Sequence, residues 1–190
     1  MSMAVLGVVV LVLLGLLVIV GLWFLMTYNS LVGLRNMVKN AWAQIDVQLK
    51  RRHDLIPNIV ETVKGYAKHE SGTFEAVVKA RTAAIAANGV AAQAKAEGEL
   101  SGVLTRLMAV AEAYPELKAN QNFLALQEEL SSTENKIAFS RQAYNDQVLS
   151  YNNKIQMIPS NIVAGIGGFT ASELFELKDL AQREAPSVKF

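Results

Sequence analysis

No charged side chain occurs before Arg35, and from Met3 to Met26 the chain is one uninterrupted apolar run. Such a segment has few ways to fold. Crossing about 30 Å of hydrocarbon takes roughly 20 apolar residues rising about 1.5 Å each, with every backbone amide paired inside the helix. Val5 to Met26 meets that length and predicts a membrane-spanning helix. A cleaved secretory signal would carry a basic leading region, an apolar core of about 7–15 residues and a small-x-small cleavage site, and the sequence shows none of the three. A buried core helix would be shorter and bounded by polar turns.

Basic residues set the expected orientation, because Lys and Arg close to a span are retained on the cytoplasmic side. Only Met1 and Ser2 precede the span, whereas Arg35 and Lys39 follow it, then Lys50, Arg51 and Arg52, with no acid before Asp46. A very short outside N-terminus and a cytoplasmic C-terminal domain are expected. Beyond the span there is chain enough for one ordinary domain with a single core. The balance of 18 basic against 17 acidic residues offers no electrostatic footprint for nucleic acid. The absence of cysteine removes disulfides, thiol nucleophiles and thiolate metal sites, and fits a reducing compartment.

Between Tyr28 and Lys154 proline occurs only at positions 57 and 115, and helix-forming Ala, Leu, Glu, Lys, Gln and Arg dominate. The expected class is therefore all-α. The span continues into an antiparallel up-and-down bundle of about four helices, with a long last helix and a loop-rich tail. The division is 1–27 anchor, 28–156 bundle and 157–190 tail. Leu31, Val38, Trp42, Ile45 and Leu49 recur at three- and four-residue steps and predict a buried stripe running on from the span. Pro57 marks either a kink or a restart capped by Asp54, and the helical spacing then persists to His69. A second helix fits Thr73 to Asn88, ended by Asn88-Gly89. A third fits Ala91 to Tyr114, and a last one runs unbroken from Glu116 to about Gln156.

The last helix has a heptad seam of Phe123, Leu130, Glu134, Ile137, Arg141, Tyr144, Val148, Tyr151 and Ile155. Glu134 and Arg141 stand on it among apolar neighbours, as does Arg35 between Leu31 and Val38. Charges in such places are tolerated when paired and hydrogen-bonded, and the usual return is register or specificity. A buried polar cluster of Arg35, Glu134 and Arg141 is expected. Three Tyr-Asn pairs, Tyr28-Asn29, Tyr144-Asn145 and Tyr151-Asn152, join it as candidate polar sites. They either fix helix register or line a ligand site. After Pro159 the heptads stop and Gly165, Gly167 and Gly168 predict loop. Ala171 to Glu184 then suits a short amphipathic helix, serving as a packing tail or as a docking segment for a protein or the membrane surface.

Catalytic signatures fail on inspection. His69-Glu70 lacks the second histidine of a zinc-protease motif, and His53 and His69 are the only histidines. No phosphate loop or nucleophile elbow occurs, and Gly165-Ile166-Gly167-Gly168 lacks dinucleotide spacing. Pairs such as Glu128 with Glu129, or Asp54 with Glu61, leave carboxylate catalysis as a remote alternative. No metal or other cofactor is expected.

Tyr28 to Val32 with Arg35, the stretch Ala41 to Asn58, Val63 to Glu70, Glu112 to Ala119, Tyr144-Asn145 and Tyr151 to Ile155 closely resemble, in order, the signatures of the LemA family of bacterial membrane proteins. The resemblance covers nearly the whole chain. It implies a single-pass protein of the bacterial inner membrane, with its N-terminus outside and a helical bundle in the cytoplasm, and without catalytic residues. It also implies partnership, since family genes often neighbour membrane metalloproteases or other membrane-associated proteins and a magnetosome member is linked to membrane organisation. The expected function is a non-enzymatic, membrane-anchored adaptor or scaffold. Its expected partners are the lipid bilayer, further copies of itself, and a membrane protease or other membrane-associated protein; nucleic acid is not among them. The alternative is a regulatory subunit of a membrane metalloprotease.

Overall fold

The helix-forming composition is expressed throughout. The computed structural model describes residues 3–176, and among these there are six α-helices and no strand. They are α1 (Met3–Tyr66), α2 (Ser71–Ala86), α3 (Val90–Glu112), α4 (Pro115–Lys118), α5 (Gln121–Gln156) and α6 (Ser160–Ile166). The all-α class is as the sequence predicted. The chain forms two compact units: one contains α1 up to Ala41 together with Asp146–Ser172, the other contains Trp42–Asn145 together with the chain from Glu173.

In the first unit, α1 has one helical course through Thr27 to Gly33, so no linker follows the apolar run. The apolar segment is long enough to cross a membrane, and its most apolar 18 residues include none that is buried. Burial on α1 begins with Phe24 and Thr27 and becomes complete at Leu31, followed by Val38 and Ala41. Val148, Tyr151, Val163, Ala164 and Phe169 are buried in the same unit. The segment expected to be loop after Pro159 contains α6. Pro159 stands directly before its first residue, where a missing N–H costs nothing, and Val163 and Ala164 bury one side of it. The Ser160 hydroxyl reaches the carbonyls of Lys154 and Met157, satisfying the end of α5. Gly168, at φ 65°, closes α6 in a Schellman arrangement: the Phe169 N–H donates to the Ala164 carbonyl at 3.0 Å and that of Gly168 to Gly165 at 3.3 Å.

The second unit has a core that draws on five helices. Ile56, Ile59, Val60 and Val63 of α1 pack with Phe74 and Val77 of α2, Leu100, Leu104 and Leu107 of α3, Leu117 of α4, and Phe123 and Leu130 of α5. Pro57 neither restarts nor ends α1. Its missing N–H leaves the His53 carbonyl without a helical donor, and the Arg81 Nε–H from α2 takes that place at 2.7 Å. The helix expected from Glu116 is broken at Ala119-Asn120, because the Asn120 side chain caps the Phe123 N–H at 3.1 Å and starts α5 there.

The α5 seam also departs from strict heptads. A straight helix drifts about 20° per heptad, so the inward side near its start runs through Leu130, Thr133 and Ile137. Thr133 is 1 % exposed, whereas the Glu134 side chain, expected inside, is 45 % exposed. Of the amphipathic helix expected at Ala171 to Glu184, residues 171–176 are neither helix nor strand, and 177–184 lie outside the described residues.

Candidate functional site

Two polar arrangements dominate the second unit, and a third lies in the first. The deepest joins Arg52, His53 and Glu97. Arg52 and His53 come from α1 just before Pro57, and Glu97 from the first half of α3; all three are buried. The Arg52 guanidinium donates to the Glu97 carboxylate, to the Ser101 hydroxyl at 3.0 Å and to the Glu97 carbonyl at 3.3 Å. His53 Nε2 donates to Glu97 Oε1 at 2.9 Å, and Gln93 Nε2 donates to the same oxygen at 2.8 Å. Burial pushes the Glu97 carboxyl up, but the His53 hydrogen bond and the Arg52 charge outweigh it and hold the group below the ordinary carboxylate range. Three donors on one buried carboxylate fix α1 against α3 in a single register.

This network, not the cluster expected from the sequence, holds the buried charges of the unit. Glu134 stands 3.9 Å from Arg52 with its side chain largely in solvent. Arg141 is half-buried, and among the described residues no ion pair joins it to Glu134. The signal for it lies in the helical spacing: Arg52 and His53 fall on the same side of α1 as the core residues Leu49 and Ile56.

The two C-terminal Tyr-Asn pairs bind backbone rather than another helix. In the second unit Tyr144 donates its hydroxyl to the Glu173 carbonyl at 2.8 Å, while Asn145 donates to the Phe175 carbonyl at 3.2 Å and accepts the Phe175 N–H at 2.9 Å. In the first unit Tyr151 donates to the Thr170 carbonyl at 2.9 Å, and Asn152 both donates to and accepts from Ser172 at 2.9 Å. Each pair thus holds two tail residues spaced by two, the asparagine reading both polar groups of one residue as a neighbouring strand would. Burial raises both phenols above their ordinary value; Glu173 adds to this at Tyr144, and Arg35 opposes it at Tyr151.

Arg35 lies with its guanidinium carbon 5.1 Å from the centre of the Phe169 ring, and its buried Nε has no hydrogen-bond partner among the described residues. Phe169 in turn meets the Tyr28 ring edge-on, 5.4 Å between centres. Asn29 is exposed. Gly167 sits where these rings close in: a Cβ there would stand 2.6 Å from Phe169 and 3.1 Å from Tyr28. Gly167→Ala is therefore expected to cost about 1–3 kcal/mol. Loss of Phe169 protection in hydrogen exchange checks the site; an unchanged exchange pattern would contradict it.

Among the described residues no group of three or more His, Asp or Glu side chains could hold a metal ion. A shallow surface groove of about 620 Å³ in the second unit is lined by Gln48, Glu128, Ser132, Asn135, Phe139 and Ser140. Its one large apolar side chain, Phe139, is 75 % exposed.

Comparison with known proteins agrees with these features. The profile of the LemA family matches residues 41–190. Magnetosome protein MamQ 2 of Paramagnetospirillum magneticum is 27 % identical over 180 residues, covering 81 % of this chain and 66 % of the relative. Magnetosome protein MamQ of Magnetospirillum gryphiswaldense is 26 % identical with the same coverage. Protein LemA of Metamycoplasma hominis is 26 % identical over 153 residues, covering 77 % of this chain and 70 % of the relative. The chain thus spans just under two thirds of the length of the MamQ relatives. With the family profile matched from within α1 to the end of the sequence, the chain belongs to the LemA family.

Proposed function

We propose that this protein is a non-enzymatic, membrane-anchored adaptor whose helical bundle binds partners, including further copies of itself, at the membrane surface. The observation that carries the reading is α1: one helix bears both an apolar stretch with no buried residue and side chains at the centre of a bundle core. Arg35, Lys39, Lys50, Arg51 and Arg52 following the span support a cytoplasmic bundle at the bacterial inner membrane. The names of the relatives denote no enzyme, which supports the non-catalytic part.

Phe139 is the best candidate anchor for a partner, because a large exposed aromatic in a polar groove gains most from being covered. Membranes containing the full chain are extracted with mild detergent, and the complex is sized by light scattering and its components identified by mass spectrometry. A complex larger than one copy is expected, and Phe139→Asp is expected to reduce its recovery about tenfold with little change in thermal stability. Release of the protein by an alkaline wash without detergent would refute the anchor. A single copy recovered alone would refute the adaptor; a membrane protease recovered in stoichiometric amount would identify the partner as that class.

A further inference from the structure

The first unit exposes a second apolar surface besides the span. Met157, Ile158, Ile162 and Ile166 are 59, 83, 59 and 71 % exposed. Ile162 and Ile166 occupy one side of α6, four residues apart, while Val163 and Ala164 are buried in the unit on the other. A short helix apolar on both sides belongs in a core or in a membrane, and this one has only one side in a core. No charged residue occurs between Lys154 and Glu173, so no ionised group in this stretch requires bulk water.

The position of α6 along α1 names the occupant. Gly167, the residue after α6, and Phe169 both meet Tyr28. Tyr28 lies two residues past Met26, a rise of about 3 Å from the end of the apolar run. Trp23 and Tyr28, near that end, are the residue types that gather at the membrane–water boundary. A patch beginning at this level adjoins the end of the apolar run of α1.

We propose that Met157, Ile158, Ile162 and Ile166 seat in the interfacial layer of the bilayer, making α6 a second, in-plane membrane contact beside the transmembrane helix. The proposal rests on the anchor reading of α1. A helix crossing alone leaves rotation about its own axis free; a second contact at one side fixes which face of the first unit is turned to the lipid.

The full chain contains no cysteine, so single-cysteine variants carry one environment-sensitive fluorophore each. Val12→Cys, Ile158→Cys and Ile162→Cys are reconstituted into vesicles of phosphatidylcholine and phosphatidylglycerol, with lipid-borne quenchers placed shallow or deep in the acyl chains. The labels at 158 and 162 are expected to be quenched about twofold or more by the shallow quencher and less by the deep one, and the label at 12 chiefly by the deep one. If the label at 12 is not quenched, the anchor reading itself fails. Quenching at 12 with water-like, unquenched labels at 158 and 162 overturns the in-plane contact alone. Labels at 158 and 162 shielded from water yet silent to lipid quenchers would mean that a second copy covers the patch, which also overturns it.

Discussion

Glu97→Gln lowers the stability of the folded chain by about 3–5 kcal/mol, the cost of leaving a buried charge without its partner. The carboxylate is the common acceptor for Arg52, His53 and Gln93. Glutamine keeps the volume but turns an N–H₂ group toward donors, and among the described residues the one other acid paired with Arg52 is Glu134, at 3.9 Å and 45 % exposed. The melting temperature in detergent, followed by circular dichroism, is expected to fall by about 10 °C or more.

The same substitution has a pH signature of known sign. Glu97 titrates below its ordinary value of 4.5 in the folded protein, so the unfolded chain binds this proton first. Its contribution to stability is complete above that ordinary value and is lost as pH falls through the depressed folded value. The gap between wild type and Glu97→Gln is therefore widest near neutrality and narrows on acidification below 4.5. A gap that stays constant across that range would show that the carboxylate charge is not what stabilises the network.

The second large effect is expected at the tail. Asn145→Ala removes both bonds to Phe175, and Asn152→Ala both bonds to Ser172. A buried backbone group left unpaired costs about 1–3 kcal/mol, comparable to what holds a short segment down. Hydrogen exchange at the Phe175 amide in Asn145→Ala, and at the Ser172 amide in Asn152→Ala, is expected to accelerate about ten- to a hundredfold. Asn145→Asp keeps an acceptor for the Phe175 N–H but sets a carboxylate against the Phe175 carbonyl, so it rescues less than half of the loss. Equal protection in wild type and Asn145→Ala would mean that Phe175 packing against Trp42, ring centres 5.9 Å apart, holds the tail without the asparagine.

The unequal legibility of these features has a physical basis. A run of apolar residues from Met3 to Met26 declares a helix long enough to cross a membrane because no tertiary partner is needed to pair its backbone. The extents of α2 and α3 were readable for a related reason: helix-forming composition and the Asn88-Gly89 ending act locally. The Tyr-Asn repeats were recognisable as special, since two such pairs one heptad apart are not what a solvated helix requires.

What those residues bind was not legible. Asparagine offers a donor and an acceptor to any backbone brought alongside, so only the path of the chain after Gly168 selects Ser172 and Phe175 as partners. The placement of charges shows the same limit. On heptads alone Glu134 and Arg141 belonged inside; the drift of a straight helix turned the Glu134 side chain outward, while Arg52 and His53, hidden in a basic run, turned inward to Glu97.

By itself the sequence determined the apolar N-terminal helix, the helical class and the family signatures, all of which depend on local composition and period. Tertiary structure alone decided that Pro57 stays inside α1, because a donor from α2 replaces its lost hydrogen bond; that residues 160–166 are helical; and that the buried charge sits at Glu97. In each case the deciding group lies far along the chain or depends on what the fold buries. Local pattern fixes the long helices, while burial and the satisfaction of polar groups between segments fix α6 and how the helices are joined.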